Sequence, residues 1–313
     1  MNTHASPVMD MTTAPIFSAP SIASSTVLID LSISVWTGRK QDKKASNDIT
    51  TQNNAVKGVA NVSKKLLGDC AELDAVQKFA ANARNTHYWM TTPWSDLGLR
   101  MCPTSVYLGV DGRPGYEKQM SALQVEFFRL VDVFLQAYDW EVQNAQLKLG
   151  GLFNPDEYPT SDKLREKFKF RYTPMPMPEA GDWRLDIEAE AAASLRGQYE
   201  KFYGDQLKTA MGDVWQRTYE ALSKMSERLD YGDDANKKIF RDSMVSNVKD
   251  MVTMLNDFNV TNDPVMTKAA QDLEQALEGV TPEALREDAY LRAQTKQQVD
   301  AVRKTIDGLG LGW

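Results

Sequence analysis

Every odd-numbered position from Val27 to Val35 is Val, Ile or Leu, and the polar residues Asp30, Ser32 and Ser34 alternate with them. A period of two places those side chains on one face of a β-strand. The pattern therefore predicts a half-buried strand over residues 27–36, with Trp36 at its exposed end. Similar short patterns predict strands over residues 104–110, 166–172 and 183–187.

Longer segments have the three- and four-residue spacing of helices. They predict helices over residues 71–90, 116–149, 188–229 and 239–258, and two more that begin after the caps Asp263 and Thr281. The helix over 116–149 has two apolar stripes, so we expect neighbours on both sides of it. The predicted fold class is mainly α (α+β), a long-helix bundle with a small inserted antiparallel sheet.

The chain divides by composition into four segments. Residues 1–26, rich in Ser, Thr, Ala and Pro, predict a disordered N-terminal arm, and 307–313 predict a flexible Gly-rich tail. Between them we expect a core of long helices and small sheet over 27–230, and C-terminal helices over 231–306 that pack on it.

Composition limits the classes of function. A chain of 313 residues with 42% hydrophobic content can bury a core, yet no apolar run approaches the ~20 residues that cross a bilayer. Two cysteines without CxxC spacing and two histidines provide no disulfide framework, zinc site or catalytic triad. We therefore predict an intracellular, non-enzymatic protein with no membrane partner and no catalytic, cofactor or metal-binding residues.

One segment is strongly basic. Residues 37–65 contain seven Lys or Arg against two Asp, whereas the whole chain has a net charge of -7. Within them, GRKQDKK supplies four candidate contacts: Arg39, Lys40, Lys43 and Lys44. They are consistent with a solvated mobile loop, a docking site for an acidic protein or a nucleic-acid contact, and the net acidity of the chain disfavours the last.

A second basic pattern is KFKFRY, in which Phe168, Phe170 and Tyr172 alternate with basic residues. Alternate aromatic rings on a strand could stack on nucleobases while their neighbours meet phosphates. The same alternation is typical of a half-buried strand whose rings lie in the core. The candidate contacts from this strand are Lys167, Lys169 and Arg171.

Three stretches carry a resemblance to a known family: LIDLSISVWTGRK, YDWEVQNAQLKLGGLF and YPTSDKLREKFKFRYTPMPMPEAGDWRLDI. Together they resemble an uncharacterised family of bacteriophages and some bacteria over roughly residues 27–230. Its members look like companions of MoxR-type AAA+ ATPases and von Willebrand A-type proteins. The resemblance thus implies an accessory or adaptor protein, and it provides no catalytic residues to carry over.

Three functional hypotheses follow. The first is an adaptor or partner of an AAA+ ATPase in the cytoplasm of an infected bacterial host. The second is a replication or recombination accessory that binds single-stranded DNA through the seven basic candidates. The third is a structural or assembly component of the virion, and homo-oligomers are compatible with all three.

Overall fold

The computed structural model describes residues 19–110, 112–178, 189–230 and 242–310. Most of this part of the chain is helical. Its α-helices are α1 Ala19–Ser25, α2 Lys43–Gln52, α3 Ala71–Trp89, α4 Thr104–Leu108, α5 Tyr116–Leu149, α6 Ser161–Arg165, α7 Ala189–Leu229, α8 Ser243–Phe258, α9 Pro264–Ala276, α10 Pro282–Glu287 and α11 Ala289–Asp307.

The strands are few and mostly short. They are β1 Thr26–Ser34, β2 Arg39–Gln41, β3 Ser63–Lys65, β4 Thr92–Pro93, β5 Arg100–Pro103 and β6 Lys169–Pro176. One sheet has the order β4-β5-β1-β6, and β2 pairs with β3 in an antiparallel two-stranded sheet. The predicted fold class, mainly α with a small antiparallel sheet, is confirmed.

The chain forms two compact units. Unit 2 consists of Ile29–Thr91 and Tyr107–Pro174. Unit 1 takes the described residues through Leu28, Thr92–Val106, and the described residues from Met175 onward. Each unit therefore combines segments that are distant in sequence.

The core of unit 2 contains the buried faces of α3 and α5, which pack against each other. Val76 and Ala80 of α3 and Phe127 and Phe134 of α5 are completely inaccessible to solvent. Full burial of such a phenylalanine contributes about 1.5–3 kcal/mol. The apolar periodicity of both predicted helices is thereby explained, since each has one face in this core.

The core of unit 1 is built by α7, α8, α9 and α11, whose buried side chains form one cluster that includes Leu222, Leu255, Leu273 and Val299. All four side chains are fully buried, so replacing any one of them by a smaller residue would leave a cavity in this core.

A polar contact links α7 to α11 within unit 1. The Asp300 carboxylate accepts hydrogen bonds from Ser226 at 2.6 Å and Lys296 at 2.8 Å, and Arg303 lies 3.3 Å away. Burial by itself would raise the pKa of Asp300. The hydrogen bonds from Lys296 and Ser226 and the two positive charges outweigh burial and lower that pKa.

Two predicted helix caps are present, and a third divides a predicted helix. Asp263 accepts from Val265 N at 2.8 Å, and Thr281 accepts from Ala284 N at 3.1 Å. Asp288 then caps α11 through the backbone N–H groups of its first turn. The helix predicted after Thr281 is therefore two helices, α10 and α11, because this side chain starts a new one.

The strand predicted over residues 104–110 is wrong, because Thr104–Leu108 is helix α4 and the strand β5 ends just before it. The chain turns tightly after α4. Gly109 has φ +86°, and a Cβ there would lie 2.4 Å from the carbonyl oxygen of Arg113. The tight turn after α4 therefore favours a helix at Thr104–Leu108, although the alternating apolar pattern predicts a strand.

The mobile loop predicted in the basic segment is also wrong in part, because it contains helix α2. Asp42 caps that helix by accepting from Ala45 N at 3.0 Å. Ser46 donates to Asp42 O at 2.6 Å and accepts from Val62 N at 2.9 Å. Polar side chains thus stabilise this segment through hydrogen bonds within it, which a hydrophobic pattern does not reveal.

The predicted segment boundaries do not coincide with the two compact units. Helix α1 lies within the predicted arm, and its Ile22 is buried. Residues 1–18, the strand predicted over 183–187, and the end of the predicted tail lie outside the described residues. None of the described helices is both long enough and apolar enough to cross a membrane.

Two expectations about exposure also need correction. The second apolar stripe of α5, to which Val125 belongs, is not covered along its whole length, since Val125 is 70% exposed. Trp36, which was expected at an exposed strand end, is buried at 9% exposure. It lies beyond the end of β1, where period-two alternation no longer determines the side on which a residue points.

Candidate functional site

The seven basic candidates lie on three parts of unit 2. Arg39 and Lys40 are in β2, and the next two lysines begin α2. The others come from the turn after α6 and from β6. In chain order they are Arg39, Lys40, Lys43, Lys44, Lys167, Lys169 and Arg171.

Three of the seven converge on one cleft of about 420 Å³, which we call the basic cleft. Its cations are Arg39, Lys40, Lys163 and Lys167. The rest of its lining is Trp36, Leu66, Asp156, Glu157, Tyr158, Pro159 and Thr160. Four cations against two carboxylates leave the lining positive, so the cleft attracts anions.

The other four candidates do not line this cleft. Lys43, Lys44 and Lys169 are exposed. Arg171 pairs with Asp30 across 3.1 Å, and both side chains are well exposed to solvent. An exposed pair of this kind contributes about 0–1 kcal/mol. The seven basic candidates of GRKQDKK and KFKFRY therefore do not all belong to one surface.

Trp36 forms an apolar support for the cleft. Its ring lies 6.2 Å from that of Phe134 and 6.0 Å, edge to face, from that of Tyr138. Gln77 donates from its side chain to the backbone oxygen of Trp36 at 3.1 Å. Ring packing and this hydrogen bond together hold the segment that leads into β2.

Two tyrosines fix the opposite wall. Tyr158 donates to Leu66 O at 2.5 Å, and Tyr138 donates to Pro159 O at 2.9 Å. Burial raises the pKa of each tyrosine to about 12, with a smaller contribution from Glu157 for Tyr158. Both hydroxyls therefore stay protonated at neutral pH and remain hydrogen-bond donors.

The short helix α6 and the turn after it place Lys163 and Lys167. Leu164 between them is completely buried, and Lys167 N donates to Leu164 O at 3.0 Å. The next residue, Phe168, packs on Phe134 with ring centroids 5.8 Å apart. Because buried residues anchor both sides of this turn, the two lysines point outward.

Like charges face each other across the two-stranded sheet. Arg39 is opposite Lys65, and Lys40 is opposite Lys64. Directly opposed like charges destabilise an antiparallel pair. Glu157 relieves part of the repulsion, since its carboxylate lies 2.8 Å from the ammonium of Lys64 and 3.9 Å from that of Lys40.

The remaining cations of the cleft have no such compensation. Among the described residues, none forms an ion pair with the side chain of Arg39, Lys163 or Lys167, and all three are exposed. A bound anion would lie between two sets of cations, one from β2 and one from the α6 region. The arrangement can therefore hold a carboxylate or phosphate group by charge and by hydrogen bonds.

The two phenylalanines of KFKFRY do not contribute a stacking surface. Phe168 and Phe170 are each 4% exposed, and Phe170 packs on Phe127 with ring centroids 5.5 Å apart. The alternation thus reflects the core of unit 2, which was one of the two interpretations of the sequence. No nucleobase can stack on rings that are covered in this way.

A second group of unit 2 has metal-binding residue types. Cys70, Glu72 and Glu141 place one ligand atom each within 4.8 Å of one another. Lys148 lies 3.5 Å from the Glu141 carboxylate, so its ammonium already supplies positive charge there. Burial raises the pKa of the Cys70 thiol to about 11, which keeps it protonated at neutral pH.

Sequence reasoning missed Lys163, Tyr158 and the position of Trp36. Lys163 and Lys167 have the four-residue spacing that aligns side chains on a helix. This spacing could have added Lys163 to the basic candidates beside Lys167. Tyr158 carries no comparable signal, because its role depends on a hydrogen bond to a residue 92 positions away in the chain.

No protein-family model, curated protein or solved structure matches this chain. The resemblance to the bacteriophage family therefore stays a prediction. The functional argument depends on the geometry of the basic cleft.

Proposed function

We propose that this protein is a non-enzymatic adaptor whose basic cleft binds an acidic segment of a partner protein. One observation carries the proposal: Arg39, Lys163 and Lys167 converge on the cleft without ion-pair partners among the described residues. Their positive charge is local, because the whole chain has a net charge of -7.

The physical basis is charge complementarity. An acidic segment in the cleft reduces the repulsion between its cations and gains ion pairs with them. Each exposed pair contributes about 0.2–1 kcal/mol, so several are needed for measurable affinity. Complementary charge also speeds association and selects partners, which suits an adaptor more than a tight permanent assembly does.

The class of partner comes from the resemblance. We propose that it is an AAA+ ATPase, and that the two proteins meet in the cytoplasm of an infected bacterial cell. The rival hypotheses make other predictions: a DNA accessory binds single strands through the same cations, and a virion component is recovered in purified particles. The binding experiment below tests the DNA hypothesis, and mass spectrometry of purified particles tests the virion hypothesis.

The first experiment measures binding of a labelled acidic peptide, and of single-stranded DNA, by fluorescence anisotropy. The test variant carries Arg39→Glu, Lys163→Glu and Lys167→Glu. The control carries Lys43→Glu, Lys44→Glu and Lys169→Glu, which change the net charge equally at exposed positions outside the cleft.

We expect the wild type and the control to bind the peptide with similar affinity, and the cleft variant to bind it at least about ten-fold more weakly. Raising the salt concentration should weaken the wild-type interaction, since exposed charges are screened beyond about 10 Å at 0.1 M salt. Equal losses in the two variants would show that net charge matters and the cleft does not.

The second experiment tests the partner. Tagged wild-type protein is recovered from infected cells, and the bound proteins are identified by mass spectrometry. An AAA+ ATPase should be recovered with the wild type and the control, and lost with the cleft variant. Repeated recovery of no ATPase would refute the partner class, while recovery with the cleft variant would refute the role of the cleft.

A further inference from the structure

Two carboxylates stand in the lining of the basic cleft, on the 3₁₀ turn Pro155–Glu157. Glu157 compensates Lys64, whose side chain is only 9% exposed. Asp156 is exposed, and no described residue pairs with its side chain. A neutral residue in place of Asp156 would raise the affinity of the cleft for a ligand with closely spaced negative charges. The presence of this carboxylate therefore requires an explanation.

We infer that Asp156 determines specificity: it makes the cleft accept a peptide with separated carboxylates and reject the continuous phosphate chain of nucleic acid. The inference rests on the proposed function, since it assigns the ligand class of the same cleft. Specificity of this kind arises from repulsion of the wrong ligand as much as from attraction of the right one.

The two ligands differ in how their charges are distributed. A nucleic-acid strand carries one negative charge per nucleotide, so a strand that crosses the cleft brings a phosphate close to the turn with Asp156. An acidic peptide carries its charges on flexible side chains, which can turn toward Arg39, Lys163 and Lys167. The same carboxylate therefore opposes nucleic acid more strongly than it opposes the peptide.

Nucleic acid also gains little of the usual compensation from base stacking at this site. Proteins that bind single strands combine a basic groove with exposed aromatic rings on which bases stack. Phe168 and Phe170, the nearest aromatic residues to Lys167 in the chain, are buried in unit 2. Of the two aromatic residues in the lining, Trp36 is buried and Tyr158 is half-buried, with its hydroxyl bound to a backbone oxygen. Phosphate contacts would have to supply most of the affinity, and Asp156 weakens those contacts.

The test compares Asp156→Asn with the wild type and with the control Asp162→Asn. Asp162 is an exposed residue in the first turn of α6, and it does not line the cleft. Each variant removes one negative charge and keeps the size of the side chain. The probes are a labelled peptide with two glutamates separated by glycines and a labelled oligothymidylate, at one fixed low salt concentration.

We expect Asp156→Asn to strengthen oligothymidylate binding roughly five-fold, the effect of one unit charge at about 4 Å in water. Peptide binding should change less than two-fold, which is well below that Coulomb effect, and Asp162→Asn should leave both affinities unchanged. An equal change for both probes, or the same change with Asp162→Asn, overturns the inference.

The two proposals fail in different ways. If the wild type does not bind the peptide, the proposed function fails. If the wild type binds the peptide but Asp156→Asn leaves the ratio of the two affinities unchanged, only the specificity role of Asp156 fails. Tighter binding of oligothymidylate than of peptide by the wild type refutes both.

Discussion

Phe134 is the residue through which the core of unit 2 supports the basic cleft. Its side chain is completely buried, and its ring lies 6.2 Å from Trp36, 5.8 Å from Tyr138 and 5.8 Å from Phe168. Replacing a buried Phe by Ala removes the transfer free energy of the ring and leaves a cavity, at a cost of about 3–5 kcal/mol. Three ring contacts place Phe134→Ala toward the upper part of that range.

A matched control exists on the same helix. Phe128 is 37% exposed and has a ring contact with Phe127. Its replacement by Ala loses a partly exposed ring and creates no closed cavity. We therefore expect Phe128→Ala to cost about 1–2 kcal/mol.

Hydrogen exchange followed by mass spectrometry measures both variants at the level of α3 and α5 peptides, which avoids assuming that the two units unfold together. Local opening free energies in these helices should fall by about 3–5 kcal/mol for Phe134→Ala. Peptide binding to the cleft should weaken as well, since Trp36 and Tyr138 lose a neighbour. A loss below about 1.5 kcal/mol, or equal losses in the two variants, would refute the assignment of Phe134 to the core.

Three further predictions concern other parts of the chain. Gly109→Ala should destabilise unit 2 by about 1–3 kcal/mol or more in chemical denaturation, because of its positive φ and the nearby Arg113 oxygen, while Gly151→Ala, with open space around it, should have little effect. Asp300→Asn should lower the melting temperature at neutral pH. Because the pKa of Asp300 is lowered in the folded protein, its carboxylate stabilises the fold above the ordinary pKa of 3.8, and this stabilisation is lost as pH falls through the folded-state pKa. A difference in melting temperature that stays undiminished at lower pH would contradict this prediction. Burial raises the pKa of Cys70 to about 11 and raises that of Cys102 further, so both thiols should react with a thiol reagent far more slowly in native than in unfolded protein, and equal rates would refute their burial.

Much of the helical structure could be predicted from local pattern. The helix predicted over residues 116–149 has those bounds as α5, and the caps Asp263 and Thr281 start the helices expected after them. Long periodic segments and short-range capping depend on residues only a few positions apart. Such signals are legible in one sequence, because the interactions that they describe are local.

The candidate site was predicted in part. The sequence identified Arg39, Lys40 and Lys167 as basic candidates, but it also included Lys43, Lys44, Lys169 and Arg171, which lie outside the cleft. Local charge indicates which residues can meet an anion. It does not indicate which of them line the same cleft, since β2 and the α6 region are more than a hundred residues apart in the chain.

By itself, the sequence determined the helical class, the long helix α5, the small sheet and the location of excess positive charge. Only the tertiary structure decided that Thr104–Leu108 is a helix and that Trp36 is buried. It also decided that Lys163 joins Arg39 and that Asp156 stands among the cations. Each of these features depends on contacts between segments that are distant in the chain. A contact that closes a long loop produces no periodic pattern in the sequence of either segment.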